Sequence, residues 1–165
     1  MKLPDAETLL QTLADKLRPM VTDDTALVGI HSGGAWLTER LLPLLGNHLQ
    51  HGMLDISFYR DDFSQRGLRP ENKPSQIPFE VEGRHIILID DVFYTGRTIR
   101  AAMNELFDYG RPASISLAVL VNRGGRELPI APQVAAAEIL LTPKQNLQLL
   151  RHEDGRFYLQ LEESV

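Results

Sequence analysis

The sequence contains no cysteine, which removes disulfide cross-links, thiolate metal clusters and a cysteine nucleophile together and suits a reducing compartment. No apolar run approaches the roughly 18 residues of a membrane-crossing helix. The opening MKLPDAETLL sets Asp5 and Glu7 where a secretory signal would carry basic and then apolar residues, so the expected setting is the cytoplasm. An excess of positive charge is also missing: 17 Lys and Arg face 22 Asp and Glu, a formal net charge of -5. Sequence-blind nucleic-acid binding needs the opposite balance, so any RNA contact has to be local. There is no internal repeat, and the 5 histidines have no metal-binding spacing. What is present is ordinary for a folded domain, with 43% hydrophobic and 24% charged residues. At 165 residues the expectation is a single domain over 1–165.

Residues 5–17 place Leu9, Leu10, Leu13 and Leu17 at helical spacing, with acids in the first turn and Arg18-Pro19 at the end. The apolar run Ala26–Ile30 breaks at His31-Ser32-Gly33-Gly34 before a second helical stretch with Leu37, Leu41, Leu44 and Leu45 in phase. Leu54–Tyr59 alternates as a half-buried strand does, and His48 and His51 read as loop residues. Residues 60–78 are polar, contain three prolines and keep no period, which predicts a long mobile loop of functional character. Ile86–Ile89 reads as a central parallel strand that stops at Asp90-Asp91, and a helix through Ile99, Met103 and Leu106 leads to a strand over 115–121. Two alternating runs, 147–151 and 156–161, flank Asp154-Gly155, a hairpin turn. This order predicts an α/β fold around a mostly parallel sheet with one antiparallel appendage.

Ligands of open α/β sheets gather at the carboxyl ends of the strands, where Asp90 and Asp91 stand. After them, Tyr94-Thr95-Gly96-Arg97-Thr98 supplies hydroxyls, a glycine for close backbone approach and a helix N-terminus, the parts of a phosphate cradle. Carboxylates that accept from vicinal hydroxyls beside a phosphate cradle suit a sugar phosphate. Taken singly, Asp91 as a helix-terminus acid and Gly96 as a turn residue explain themselves without any ligand.

The whole string resembles the phosphoribosyl pyrophosphate motif of type I phosphoribosyltransferases, two acids closing an apolar strand and a T-G-x-T loop opening a helix. DDVFYTGRTIRAAMNEL, GRP and LAVLVNRGGRELPI, together with YRDD at 59–62 and IPF at 77–79, look like the family of bifunctional pyrimidine operon regulators and uracil phosphoribosyltransferases, the PyrR type. The likeness spans roughly residues 26 to 132. It implies a five-stranded parallel sheet flanked by helices, a small hood, and a loop over 60–78 that closes during catalysis. It also implies catalytic roles for Asp90, Asp91, Arg60 and Asp61. Asp90 and Asp91 would bind the ribose hydroxyls, with Val92 and Tyr94 beside them, and Thr95, Gly96, Arg97 and Thr98 the 5′-phosphate. Arg60 and Asp61 would close over pyrophosphate. His31, Ser32, Gly33 and Gly34 would form the pyrophosphate turn, and Arg123 and Gly124 the base site. The reaction implied is uracil plus phosphoribosyl pyrophosphate giving UMP and pyrophosphate, with Mg²⁺ held mainly through the substrate rather than by a protein metal site. Leader mRNA and further copies of the chain are the implied partners.

Two positions leave the family pattern. The pyrophosphate turn usually reads R-T-R-G and here reads H-S-G-G, so two permanent cations are absent and backbone amides are left to bind phosphate oxygens. The segment 121–129 reads VNRGGRELP where the family usually has V-D-R-G-H-R-E-L-P, and its Arg126 and Glu127 read as a surface ion pair. The first departure keeps a second reading open: an RNA-binding attenuator or nucleotide sensor with little catalysis, its basic face drawn from Arg18, Lys144, Arg151 and Arg156.

Overall fold

A computed structural model of the chain describes residues 1–56 and 75–164. Strands β1 (Thr25–Ile30), β2 (Gln50–Leu54), β3 (His85–Phe93), β4 (Ser114–Asn122) and β5 (Val134–Glu138) form a parallel sheet in the order β2-β1-β3-β4-β5. Helices α1 (Ala6–Leu17) and α2 (Gly33–Leu45) cover one face, and α3 (Arg97–Phe107) packs on the other. Strands β6 (Gln145–Arg151) and β7 (Phe157–Glu163) make a separate antiparallel hairpin. This is the α/β fold with one antiparallel appendage that the element order predicts, with the five-stranded parallel sheet and small hood that the family resemblance implies.

The two-residue period of the strands decides which side chains meet which helix. Leu27, Ile87, Ile89, Ala118 and Leu120 pack with Leu10, Leu13 and Leu17 of α1 and with Leu37 and Leu41 of α2. The alternate residues, including Val28, Ile30, Leu88 and Val119, pack with Ile99, Ala102 and Leu106 of α3. Both faces are therefore covered, which is why these strands are apolar throughout. At the start of α1 the Asp5 carboxylate accepts from the Thr8 amide at 3.0 Å, an N-cap that satisfies one orphan donor.

Three elements differ from expectation. β2 is formed by Gln50–Leu54, and so includes His51, because its register with β1 runs from Ala26 opposite Gln50 to Ile30 opposite Leu54; the alternating run 54–59 begins where that pairing stops, and its residues 57–59 lie outside the described residues. β3 does not stop at Asp90-Asp91 but continues to Phe93, carried by pairs of Val92 with Val121 and Phe93 with Asn122. β5, built from VAAAE, has no counterpart in the elements read from periodicity. Of the loop expected at 60–78, residues 60–74 lie outside the described residues; just beyond them, Gln76 bridges antiparallel to Met53.

The hood is fastened to the sheet domain by more than apolar contact. Leu147, Leu149 and Phe157 are buried in the α1/α2 side of the core. Above them, Glu7 of α1 accepts from Arg40 of α2 at 2.6 Å and from the Phe157 amide of β7 at 2.8 Å. The Arg40 guanidinium also lies 4.9 Å from the Phe157 ring centroid and donates to the Gly155 carbonyl at 3.3 Å. The hydrogen bond from Arg40 is the main reason that the Glu7 carboxyl titrates below its ordinary value, and partial burial opposes it only in part. A carboxyl held more acidic in the folded than in the unfolded chain contributes stability that is complete above its ordinary range and is lost as pH falls through the folded value. Glu7→Gln is therefore expected to lower stability by on the order of 1 kcal/mol at neutral pH, and to flatten the acid side of the profile. Urea denaturation of both proteins from pH 3 to pH 7 measures this, and parallel profiles would show that the latch contributes nothing.

Candidate active site

Strand order reverses between β1 and β3, since the chain runs outward to β2 from one and to β4 from the other. At such a switch point the loops leaving the two strands diverge and open a crevice at their carboxyl ends. β1 pairs with β3 only as far as Gly29 opposite Ile89, so Asp90 and Asp91 follow the point where the neighbouring strand departs. The resulting cleft measures about 810 Å³. His31, Ser32 and Gly33 form one wall, Asp90, Asp91 and Val92 the floor, Tyr94, Thr95, Arg97 and Thr98 the opposite wall.

The carboxylates are held by their own strand. Asp90 is only 7% exposed, and its Oδ1 accepts from the Asp91 amide at 2.9 Å, while Asp91 Oδ1 accepts from the Val92 amide at 2.7 Å. The turn that faces them follows a cis peptide between His31 and Ser32 and enters α2 through two buried glycines. A Cβ on Gly33 would strike the Asp91 carboxylate, and one on Gly34 would overlap the Ile89 carbonyl oxygen. These glycines are therefore needed for the first turn of α2 to lie against the end of β3. Ser32 makes no side-chain bond to the first amides of α2, a helix end available to an external acceptor.

Across the cleft, the Tyr94–Thr98 loop encloses a smaller recess of about 120 Å³, lined among others by Asp90, Thr95, Gly96 and Thr98. Gly96 adopts φ +100° immediately before α3, which favours glycine there. The recess is braced from behind: the Glu127 and Leu128 amides both donate to the Thr95 carbonyl, at 2.9 and 3.2 Å. Glu127 pairs with Arg97 at 3.1 Å instead of with its neighbour Arg126, because the 124–128 segment folds back along the loop that opens α3.

Of the residues singled out from the sequence, His31, Ser32, Gly33, Asp90, Asp91, Val92, Tyr94, Thr95, Arg97 and Thr98 line one cleft, and Gly96 lines the adjoining recess. Gly34 supports the turn from below without lining the cleft. Neither Arg123 nor Gly124 lines the cleft: Arg123 stands behind Tyr94, is 4% exposed, lies 3.9 Å from the Tyr94 ring centroid and donates to the Thr142 carbonyl at 2.8 Å, and Gly124 faces Leu140. Arg60 and Asp61 lie outside the described residues. Trp36, Glu127 and the hood residues Leu147–Leu150 also line the cleft. The alternation of 147–151 marked a strand, but nothing local in a sequence states which surface a hairpin docks on.

The phosphoribosyl transferase domain model matches residues 4–139. The chain belongs to the phosphoribosyl transferase family. It is 48% identical over 153 residues to bifunctional protein PyrR from Pseudomonas syringae pv. syringae, covering 90% of each chain. To bifunctional protein PyrR from Nitrosococcus oceani it is 48% identical over 160 residues, covering 93% of this chain and 90% of the relative. The resemblance to the PyrR type read from the motifs is thus borne out along nearly the whole chain. Among solved structures, a hypoxanthine phosphoribosyltransferase from Staphylococcus aureus superposes with a TM-score of 0.63 at 18% identity, covering 87% of this chain and 76% of the other. That likeness establishes the fold.

The glycine contacts separate two kinds of damage in this family member. Gly34→Ala forces a methyl against backbone, and about 1–3 kcal/mol of stability is expected to be lost. Gly33→Ala meets the Asp91 side chain from its Cβ outward, so relief requires that Asp91 itself be displaced; its expected effect is a stability loss accompanied by weakened ligand binding. Denaturation and calorimetry on the two variants check this, and equal effects on both quantities would reject the distinction.

Proposed function

We propose that residues 1–165 act as one phosphoribosyltransferase domain that transfers the phosphoribosyl group of phosphoribosyl pyrophosphate to uracil, giving UMP and pyrophosphate, in the cytoplasm. The observation that carries this reading is the meeting of the acid pair Asp90-Asp91, the 31–33 turn and the 95–98 loop on one cleft at the sheet's switch point. The similarity to proteins named bifunctional PyrR supports it.

In this reading the Thr95–Thr98 loop and the N-terminus of α3 grip the 5′-phosphate. Asp90 and Asp91 accept from the ribose hydroxyls, and the first amides of α2 face the diphosphate. Arg60 and Asp61, in the 60–78 loop, close over it. Arg123 and Gly124 belong to the base end, which Tyr94 and the hood residues Gln148 and Leu150 border. Displacement at the anomeric carbon needs little proton transfer, so positioning and exclusion of water carry most of the acceleration.

Among the described residues no group of three or more His, Asp or Glu is arranged to hold a metal. Asp90 and Asp91 are nonetheless hard oxygen donors suited to Mg²⁺, whose remaining positions would be filled by substrate oxygens and water. When bound, Mg²⁺ offsets the negative charge of the diphosphate.

The same proposal includes regulation: UMP in this cleft biases binding of the chain, as a homo-oligomer, to a leader mRNA. A second reading, a nucleotide sensor with little turnover, is favoured by one observation, the H-S-G-G turn without arginine. Steady-state assay with uracil and phosphoribosyl pyrophosphate, beside leader-RNA binding with and without UMP, distinguishes them. Asp90→Asn combined with Asp91→Asn is expected to abolish phosphoribosyl pyrophosphate binding with the circular dichroism spectrum unchanged. Calorimetry in the presence of Mg²⁺ reads the result, and retained affinity would overturn the assignment of the acid pair.

A further inference from the structure

The described lining of the cleft carries three carboxylates, Asp90, Asp91 and Glu127, against one guanidinium, Arg97, which is already paired with Glu127. A diphosphate placed beside these acids is repelled unless a cation accompanies it. One stands at the rim. Arg151, the last residue of β6, holds its guanidinium 4.2 Å from the centroid of the Trp36 ring. Trp36 lines the cleft from the first turns of α2, just after the 31–33 turn.

The contact is half of a reciprocal pair. Trp36 and Arg40 are neighbours one turn apart on α2, and Arg151 and Phe157 face each other directly in the hairpin. Arg40 covers Phe157 while Arg151 covers Trp36. The two arginines are held very differently. Arg40 is bound by Glu7 and by the Gly155 carbonyl. Arg151 is exposed, and among the described residues no hydrogen bond or ion pair holds its guanidinium. An exposed cation over an aromatic face is weakly attracted and easily recruited by a stronger acceptor.

We propose that Arg151 leaves Trp36 to bind the diphosphate of the phosphoribosyl donor, supplying from the hood a cation that the His31-Ser32-Gly33-Gly34 turn lacks. This rests on the phosphoribosyl pyrophosphate reading of the cleft. Its function is ground-state binding of the donor, so it acts on the donor and on free pyrophosphate but not on a ligand that lacks the diphosphate.

The chain has a single tryptophan, so its emission reports whether a guanidinium covers Trp36. The full-length protein is titrated with phosphoribosyl pyrophosphate, with pyrophosphate and with ribose 5-phosphate, each with Mg²⁺, following both emission and calorimetric affinity. Wild type, Arg151→Gln and Lys144→Gln, the last removing a charge at the other end of β6, are compared. In wild type the two diphosphate ligands are expected to shift the emission and ribose 5-phosphate to leave it unchanged. Arg151→Gln is expected to lose the shift and to bind both diphosphate ligands roughly tenfold more weakly, with ribose 5-phosphate affinity kept and Lys144→Gln matching wild type. Unaltered diphosphate affinity in Arg151→Gln, an equal loss in Lys144→Gln, or a wild-type emission indifferent to diphosphate each overturns the proposal while the site reading stands. Failure of wild type to bind phosphoribosyl pyrophosphate at all overturns the site reading, and this proposal with it.

Discussion

β3 keeps its hydrogen bonds to β4 as far as Phe93 after β1 has left it at Ile89, and the site follows from that mismatch in length. A strand paired on one side only has a backbone edge and a row of side chains open to whatever the next loop brings. Here the next loop is the 31–34 turn, brought in so tightly that glycine is required at 33 and 34. Had β1 and β3 ended together, Asp90 and Asp91 would sit in an ordinary strand-to-helix loop with α2 starting beyond them. Because they do not, two carboxylates stand on a rigid strand beside the N-terminus of a helix, at the floor of a cleft sized for a ligand.

The electrostatics of this arrangement balance through backbone more than through side chains. Partly buried carboxylates are costly unless hydrogen-bonded, and Asp90 and Asp91 are satisfied in part by the amides of the residues that follow them. α2 and α3 both direct their N-termini toward the cleft from opposite walls, and a helix N-terminus attracts anions without adding a mobile cation. The acids therefore suit hydroxyls or a metal ion, while the helix ends suit phosphates, and the two functions occupy adjoining parts of the cleft. The 124–128 segment contributes indirectly, since its bonds to the Thr95 carbonyl fix the loop that carries the recess.

Much of this was legible because the informative residues are contiguous. IILIDD followed by YTGRT encodes a strand, its acids and a phosphate loop within one short stretch, and the helices α1, α2 and α3 announce themselves by leucine and isoleucine spacing. What was not legible shows the limits of local pattern. Acids are depleted from strands, so Asp90-Asp91 read as an end, whereas pairing with β4 draws two more residues, Val92 and Phe93, into β3. β5 is rich in alanine, which carries weak strand propensity and no alternation, and only its pairing with β4 defines it. No local pattern singles out Trp36, and Leu147–Leu150 read as one strand of a hairpin; their meeting at the cleft depends on where the hood docks, which is set by contacts distant in sequence. Glu127 finds Arg97 in place of Arg126 for the same reason.

The docking of the hood brings a further consequence for how a cleft can be closed without being sealed. If β6 and β7 were held by apolar packing alone, any movement that changed the cleft would disturb Leu147, Leu149 and Phe157 together, at a cost of about 1.5–3 kcal/mol for each side chain exposed. The Glu7–Arg40 latch removes that need, since it pins the Phe157 amide and ring to α1 and α2 at the back of the hairpin. Arg151 is opposite Phe157 in the register, so the strand beneath it is fixed at the point where its own side chain is held only by an exposed contact with Trp36, an interaction of roughly 0.5–1 kcal/mol. A long side chain can then change partners at the rim while the backbone under it stays in place. Rigidity behind and freedom in front are produced by the same pair of arginines, and they differ because only one of them has a carboxylate.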